Sequence, residues 1–297
     1  MGALPYGGMA DMSGKNVVIT GGNTGIGKEA AVGLAEVGAN VVITSRNEER
    51  GRDARDEIAE RSGNRDVEVM PLDLARFGSI RSFSDDVLDR FDRLDVLVNN
   101  AGLIHRRRTE TEEGFETTFG VNHLGHFLLT DLLLDRLRAS APARVVVVAS
   151  DAHKGARRGL DFDDLQGERR YRWGNAYSKS KLANIYFARE LARRLDGSGV
   201  TANSLHPGFV RSDFGRGGDL GPVYGWGIKY LAGPFAISPE KGALTTIYLA
   251  SSPEVEDVSG GYFDKCRPAV PSAAGQDDAA ARRLWDVSEQ LVASVPT

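Results

Sequence analysis

The 297-residue sequence predicts a single α/β domain built on a doubly wound parallel sheet, with helices on both faces. Two observations predict it. Short Val/Ile/Leu runs recur along the chain, each separated from the next by a longer, helix-competent segment. The runs are continuously apolar rather than alternating, as strands buried on both faces are. A composition 41% hydrophobic and 26% charged is ordinary for a globular protein and excludes wholesale disorder. No Pro/Gly/Ser-rich linker divides the chain in two.

Residues 1–12, rich in Gly, Met and Pro, read as a flexible tail, and 13–265 as the domain. Asn16-Val-Val-Ile-Thr20 is the first strand. The helix after it carries Ala30, Ala31, Leu34 and Ala35 on one side. Asn40-Val-Val-Ile-Thr44 repeats the first run almost letter for letter. Val67–Asp73, Leu94–Asn99, Arg144–Ser150 and Val200–His206 continue the series, and Gly260–Phe263 supplies a late strand, for about seven in all. Segments 151–174 and 211–237 break the rhythm. Both follow predicted strand ends, where open α/β sheets bind ligands, so they are expected to form the substrate loops. The second is rich in aromatics, among them Phe214, Tyr224, Trp226 and Tyr230. Those rings either pack on core or partner or line an apolar substrate pocket. Residues 266–297 read as a coil to 278 and then an amphipathic helix, with Leu284, Val287, Leu291, Val292 and Val295 at helical spacing.

Thirty-seven basic against 41 acidic residues give a net charge of −4, which argues against a nucleic-acid partner. No apolar run approaches the ~20 residues of a membrane helix. Met1–Tyr6 lacks a secretory signal and fails the myristoylation pattern, so no membrane anchor is expected. A single cysteine, Cys266, leaves no intrachain disulfide and suits a reducing cytoplasm. His123 and His126 lie three apart on a predicted helix, but no third ligand is evident and no metal site is expected. The arginine clusters 106–108, 157–158 and 169–172 read as solvated loop charge before anion binding. A homodimer or homotetramer is the expected assembly.

The first strand-to-helix turn reads Thr20-Gly-Gly-Asn-Thr-Gly-Ile-Gly27. Glycines 21, 25 and 27 permit a tight bend and close backbone approach to a phosphate. The helix N-terminus then favours the anion. Gly22–Lys28 also satisfies part of a triphosphate-binding loop, but that loop continues with Ser or Thr and here Glu29 follows. At the end of the second strand an NAD site would place Asp or Glu for the ribose 2′-hydroxyl. This chain has Thr44-Ser45-Arg46-Asn47. No acid repels a 2′-phosphate there, and Arg46 can pair with it. The sequence therefore favours NADP(H) over NAD(H).

Tyr177-Ser-Lys-Ser-Lys181 places Tyr and Lys at i and i+4, on one face of a helix. A nearby ammonium and a positive nicotinamide ring are expected to lower the phenol's ordinary pKa of about 10. The tuned phenol can then protonate an alkoxide or deprotonate an alcohol. Ser150, at a strand end, can hydrogen-bond a substrate oxygen or simply cap the following turn. Small residues in Asn99-Asn-Ala-Gly102 allow a cofactor to lie close. Asn122 is a poor helix former inside a helical segment. Buried there, it is expected to kink the helix and hold a water near the lysine.

Together these residues resemble the short-chain dehydrogenase/reductase family, in the family's order and over essentially 15–265. The resemblance implies a single Rossmann-like domain and a catalytic tetrad of Asn122, Ser150, Tyr177 and Lys181. It implies cofactor contacts at Gly21, Asn23, Thr24, Gly25, Ile26 and Gly27, and at Ser45 and Arg46. Asp73 and Leu74 would lie at the adenine, and Asn100, Ala101 and Gly102 along the ribose, with Tyr177 and Lys181 beyond. Pro207, Gly208, Val210 and Ser212 would meet the nicotinamide; Ser212 stands where the family often has Thr. Asn122–Thr130, Tyr177–Asn184 and Arg282-Arg-Leu-Trp285 resemble the retinol dehydrogenase-like branch, which mostly uses NADP(H). Many animal members of that branch carry an N-terminal membrane anchor that this sequence does not show.

The expected activity is hydride transfer between NADP(H) and an alcohol, aldehyde or ketone, a hydrophobic one on the evidence of the aromatic loop. The alternatives are a non-catalytic dinucleotide sensor, which would not need the tetrad, and an epimerase or dehydratase of the same fold.

Overall fold

The computed structural model describes residues 11–210 and 237–295. Residues 1–10 of the expected tail, Ser212 and nearly all of the aromatic loop 211–237 lie outside the described residues.

Alternation within each apolar run decides which layer a side chain joins. In β1 (Asn16–Ile19), Val17 and Ile19 face one layer and Val18 the other. The same holds in β2 (Asn40–Ser45), where Val41 and Ile43 oppose Val42. Both faces are covered, so every position had to be apolar. One layer holds α1 (Gly25–Glu36) and α2 (Glu48–Ser62), which flank β3 (Val67–Pro71) and the first two strands. The opposite layer holds α3 (Phe77–Arg90), α4 (Thr117–Phe119) and α5 (Gly125–Ala139), with β4 (Val96–Asn99) between α3 and α4. β5 (Ala143–Val148), α6 (Trp173–Arg194) and β6 (Val200–His206) follow. Then come α7 (Pro239–Ser251) on the first layer, β7 (Tyr262–Asp264), β8 (Arg267–Ala269) and α8 (Asp278–Ala293).

The described strands form one eight-stranded sheet in the order β3-β2-β1-β4-β5-β6-β7-β8. The first seven are parallel, and β8 runs antiparallel to β7. The late run near Gly260 is β7. The segment 266–278, expected to be coil, instead contributes the short β8, because Lys265 and Cys266 both adopt positive φ (50° and 58°) and turn the chain back on β7. Apolar patterning gave no sign of this edge strand: Arg267 and Pro268 are exposed. At the other end, Met12, assigned to the tail from composition, is buried and donates its backbone N–H to Val37 O at 2.8 Å.

The order reverses between β1 and β4, and the crevice at such a switch point is where doubly wound sheets bind ligands. The register Ile19↔Val98 brings Thr20 and Asn99–Gly102 side by side at that crevice. The last helix packs on α5 and α6 as its periodicity indicates. Trp285 stacks on Phe187 (5.9 Å between centroids), meets Phe127 edge-on (4.9 Å) and takes the Arg194 guanidinium over its outer side (4.5 Å).

Candidate functional site

Backbone and glycine build one side of the crevice. Gly21 and Gly25 hold φ of +63° and +54°, a region costly for residues with a Cβ. A Cβ on Gly27 would lie 2.4 Å from Asn100 Nδ2 and 2.5 Å from Gly21 O, so α1 approaches the loop closer than any side chain allows. Thr24, extended, precedes α1 without capping it by its side chain, and no carboxylate stands in the first turn. These uncapped N–H groups suit a pyrophosphate. The charged pair that follows the loop is turned away to α2: Lys28 bonds Glu57 (2.7 Å) and Glu29 bonds Arg61 (2.6 Å). Lys28 thus serves as a strut between helices.

Thr20 and Asn100 lace the two strand ends together. Thr20 Oγ1 accepts the N–H groups of Asn100 (2.9 Å) and Ala101 (3.0 Å), while Asn100 Nδ2 donates to Thr20 O (2.8 Å). Further along the crevice, Pro207–Val210 and Ile26 meet over α7, where a Cβ on Gly242 would lie 2.6 Å from Val210 Cγ2 and 3.3 Å from Ile26 Cγ1. Gly208 holds φ +90°. At the end of β2, Ser45 is buried with its Oγ donating to Asn47 O (2.8 Å), and Arg46 is exposed. Asp73 accepts the Ala75 N–H (3.0 Å), and Leu74 is buried, its carbonyl lying where a Cβ on Gly125 would come within 2.6 Å. Asn23 is half-buried in the loop.

Buried polar side chains build the other side. Three elements deliver them: the π turn Gly120–Leu124 between α4 and α5, the end of β5, and two turns of α6. Asn122, fully buried, is clamped on Leu103, accepting its N–H (2.8 Å) and donating to its carbonyl (2.9 Å), with a further bond to Ser180 Oγ (3.0 Å). The irregularity expected at Asn122 is thus this π turn. Lys181, 3% exposed, donates to Val148 O (3.0 Å), and Asn184 donates to the same carbonyl (3.2 Å). A Cβ on Gly102 would sit 3.4 Å from both Asn122 Oδ1 and Lys181 Nζ, so the cofactor-side and polar-side residues converge there. Lys181 Nζ lies 5.8 Å from the centre of the Tyr177 ring. Ser150 caps the following turn, its Oγ accepting the Ala152 N–H (3.1 Å), and it also hydrogen-bonds Tyr177.

The acid–base balance differs from the sequence expectation. Burial pushes the Tyr177 phenol up to about 12, opposed by the Ser150 hydrogen bond. Burial likewise pulls Lys181 down to about 8. An ammonium and a nicotinamide ring were expected to lower the phenol; in the protein alone burial dominates, because both Tyr177 and Lys181 sit where charge is poorly solvated.

The two histidines point apart. His126 meets Thr20 Oγ1 (2.9 Å) and the Asn122 carbonyl (3.2 Å), beneath the glycine loop. His123 meets Ser288 of α8 (2.8 Å). Burial lowers them to about 4 and about 3. Sequence reasoning passed over Thr20, Ser180 and Asn184 as site residues. A signal existed for Asn184, which shares the helical face of Tyr177 and Lys181 at i+7 and i+3.

A cavity of about 620 Å³ opens beside this cluster, lined by Arg106, Tyr171, Arg172, Trp173 and Ser178 among others. Tyr171, one of its lining residues, has its hydroxyl within 2.7 Å of His105 O and 3.2 Å of Glu116 Oε1. Arg108 is tied to Glu110 (2.6 Å) and Gln166 O (2.9 Å), whereas Arg157, Arg158, Arg169 and Arg170 are exposed.

Residues 15–161 match the family described as short chain dehydrogenase. Retinol dehydrogenase 14 of Homo sapiens is 45% identical over 294 residues, 95% of this chain and 87% of that one. The chain belongs to the short-chain dehydrogenase family. Within that family it falls in the retinol dehydrogenase-like branch, and it is an oxidoreductase acting on alcohol or carbonyl groups with a nicotinamide dinucleotide. Among solved short-chain dehydrogenase-like folds, a putative uncharacterized protein from Mycobacterium paratuberculosis superposes with a TM-score of 0.77 at 35% identity, covering 96% of each chain. A Pseudomonas aeruginosa RhlG/NADP active-site complex superposes with a TM-score of 0.67 at 26% identity, covering 89% of this chain and 98% of that one.

Proposed function

We propose that this dehydrogenase uses NADP(H) in preference to NAD(H) and interconverts a hydrophobic alcohol with its aldehyde or ketone, with Tyr177 as acid and base. The observation that carries the reading is that Asn122 and Lys181 both approach Gly102 at the sheet's switch point, with Lys181 Nζ 5.8 Å from the centre of the Tyr177 ring and Ser150 hydrogen-bonded to Tyr177. A sensor would have no use for the set of Asn122, Ser150, Tyr177 and Lys181. The glycine loop fits a dinucleotide: Gly27 leaves room for nothing larger, and α1 opens uncapped.

The nicotinamide, when bound, supplies or accepts the hydride. In reduction, Tyr177 gives its phenolic proton to the alkoxide oxygen, a task suited to a phenol held protonated. Ser150, hydrogen-bonded to Tyr177 and holding the Ala152 N–H on one lone pair, donates to the same oxygen once substrate enters. Lys181, anchored on Val148 O, keeps its positive end near the phenol and favours the tyrosinate that the reverse direction requires. Arg46, exposed at the end of β2 where Thr44 and Ser45 stand in place of an acid, supports the NADP(H) assignment. The rings of Tyr171 and Trp173 beside the cluster, and the retinol named for the human relative, support an apolar substrate. The buried thiol of Cys266 fits a reducing cytoplasm.

The test is Tyr177→Phe. Turnover of aldehydes with NADPH should fall by about a hundredfold or more, while NADPH affinity by titration stays within twofold. Near-normal turnover would reject the reading. Across straight-chain aldehydes kcat/KM should rise with length, and a falling series would reject the apolar substrate.

A further inference from the structure

We propose that His153 is a positioning residue for Ser150, fixing the catalytic serine by tying its carbonyl to the segment that follows β8. The proposal rests on the reading of Ser150 as a catalytic residue. Ser150 leaves β5 and caps a 3₁₀ turn, Asp151–Gly155. Its carbonyl accepts two hydrogen bonds, both from His153: the backbone N–H at 3.0 Å and Nδ1 at 2.7 Å. The far side of the same ring, Nε2, accepts the backbone N–H of Ser272 at 3.0 Å. These partners settle the tautomer. A carbonyl can only accept, so Nδ1 carries the proton; a backbone N–H can only donate, so Nε2 carries the lone pair. The imidazole is fully buried and stands edge-on to the Tyr262 ring, 5.4 Å between centroids.

The rest of the turn is braced in the same way. Asp151 N–H donates to His206 Nδ1 (3.1 Å), and Tyr262 donates to Asp151 Oδ1 (3.4 Å). At the turn's end a Cβ on Gly155 would lie 2.5 Å from Ser178 Oγ, so the turn abuts α6 one residue past Tyr177. The segment holding Ser272 is itself pinned to α6, where Tyr186 donates to Ala274 O (2.7 Å). His153 is therefore the link that lets the C-terminal part of the chain set where Ser150 sits relative to Tyr177. Without its Nδ1–H, the serine carbonyl loses the shorter of its two bonds, and the hydroxyl loses its fixed direction. A displacement of about 1 Å at a reacting centre can cost a hundredfold in rate.

The experiment compares His153→Asn, which keeps a side-chain N–H near the Nδ1 position, with His153→Gln, which fills the space but carries its amide out toward Ser272. Each is made alone and combined with Ser150→Ala. Turnover of an aldehyde by NADPH, NADPH affinity and thermal melting are measured on the full chain. His153→Gln should lower kcat about ten- to hundredfold, with NADPH affinity within twofold, and His153→Asn should recover most of that loss. In the Ser150→Ala background, His153→Gln should add almost nothing, because there is no hydroxyl left to position. Equal losses in the Asn and Gln variants, or full additivity with Ser150→Ala, would overturn the positioning role and leave His153 a packing residue. Unchanged turnover in Ser150→Ala alone would overturn the functional reading itself, and the positioning role with it.

Discussion

The two sides of the crevice solve different problems with different materials. The β1–α1 side is made of backbone: glycines at 21, 25 and 27, an uncapped helix start, and Thr20 and Asn100 lacing the strand ends. Side chains there are mostly absent, because their absence lets a large anion come close to N–H groups. The β5–α6 side is made of side chains: Asn122, Ser150, Tyr177 and Lys181, each buried or half-buried and each with named partners. Binding tolerates a shallow, generic cradle. Proton transfer does not, because it needs one oxygen at one place with its proton directed. The first side therefore fails by crowding and the second by loss of a single atom.

Four measurements would break or sharpen that contrast. On the polar side, Lys181→Met should lower kcat by about a hundredfold or more and free Val148 O from its 3.0 Å partner, with Asn184 retained. Steady-state kinetics, with NADPH affinity titrated alongside, would check it. On the backbone side, Gly27→Ala should act through affinity. The added carbon meets Asn100 Nδ2 and the Gly21 carbonyl, so NADPH should bind at least about tenfold more weakly, and stability should fall by about 1–3 kcal/mol. A drop in kcat without a change in Kd would erase the distinction between the two sides. Arg46→Ala should weaken NADPH about tenfold and leave NADH nearly unchanged; equal losses for both cofactors, by titration, would remove the NADP(H) preference.

The smallest effect concerns His123 and His126, beneath the two sides. Their folded pKa values, about 3 and about 4, lie below the ordinary 6.5. Between pH 6.5 and 4 the unfolded chain therefore binds protons at these imidazoles that the folded chain does not. Stability should fall as pH falls through that window, by at most about 1.4 kcal/mol per pH unit for each group. His123→Gln should make the melting temperature less steep with pH there. An unchanged slope would show that His123 does not drive the acid sensitivity.

How legible each part was follows from how local its cause is. The parallel strands and the glycine loop were readable because a continuous apolar run, a helix period and a Gly pattern each lie within a few residues, whereas the order of the strands came from the structure. Tyr177 and Lys181 were readable because one helix turn brings i and i+4 together. β8 was not readable: two left-handed residues, Lys265 and Cys266, and pairing with β7 create it, and its own residues are polar or exposed. Met12 was lost to composition, since only its contact with Val37 O shows it packed.

By itself the sequence determined the layered α/β architecture, the glycine-rich turn and the residues of the proposed reacting set, because these depend on residue type and short spacing. Only the tertiary structure decided their state. It raised Tyr177 and lowered Lys181 through burial, turned Lys28 away onto Glu57, and placed Thr20, Ser180 and Asn184 as supports. It also bound the Ser150 carbonyl to His153 and, through that ring, to Ser272, 122 residues beyond the serine. Solvation and hydrogen-bond partnership belong to the packed interior, where segments distant in sequence exclude water from one another, and no local pattern in the chain encodes them.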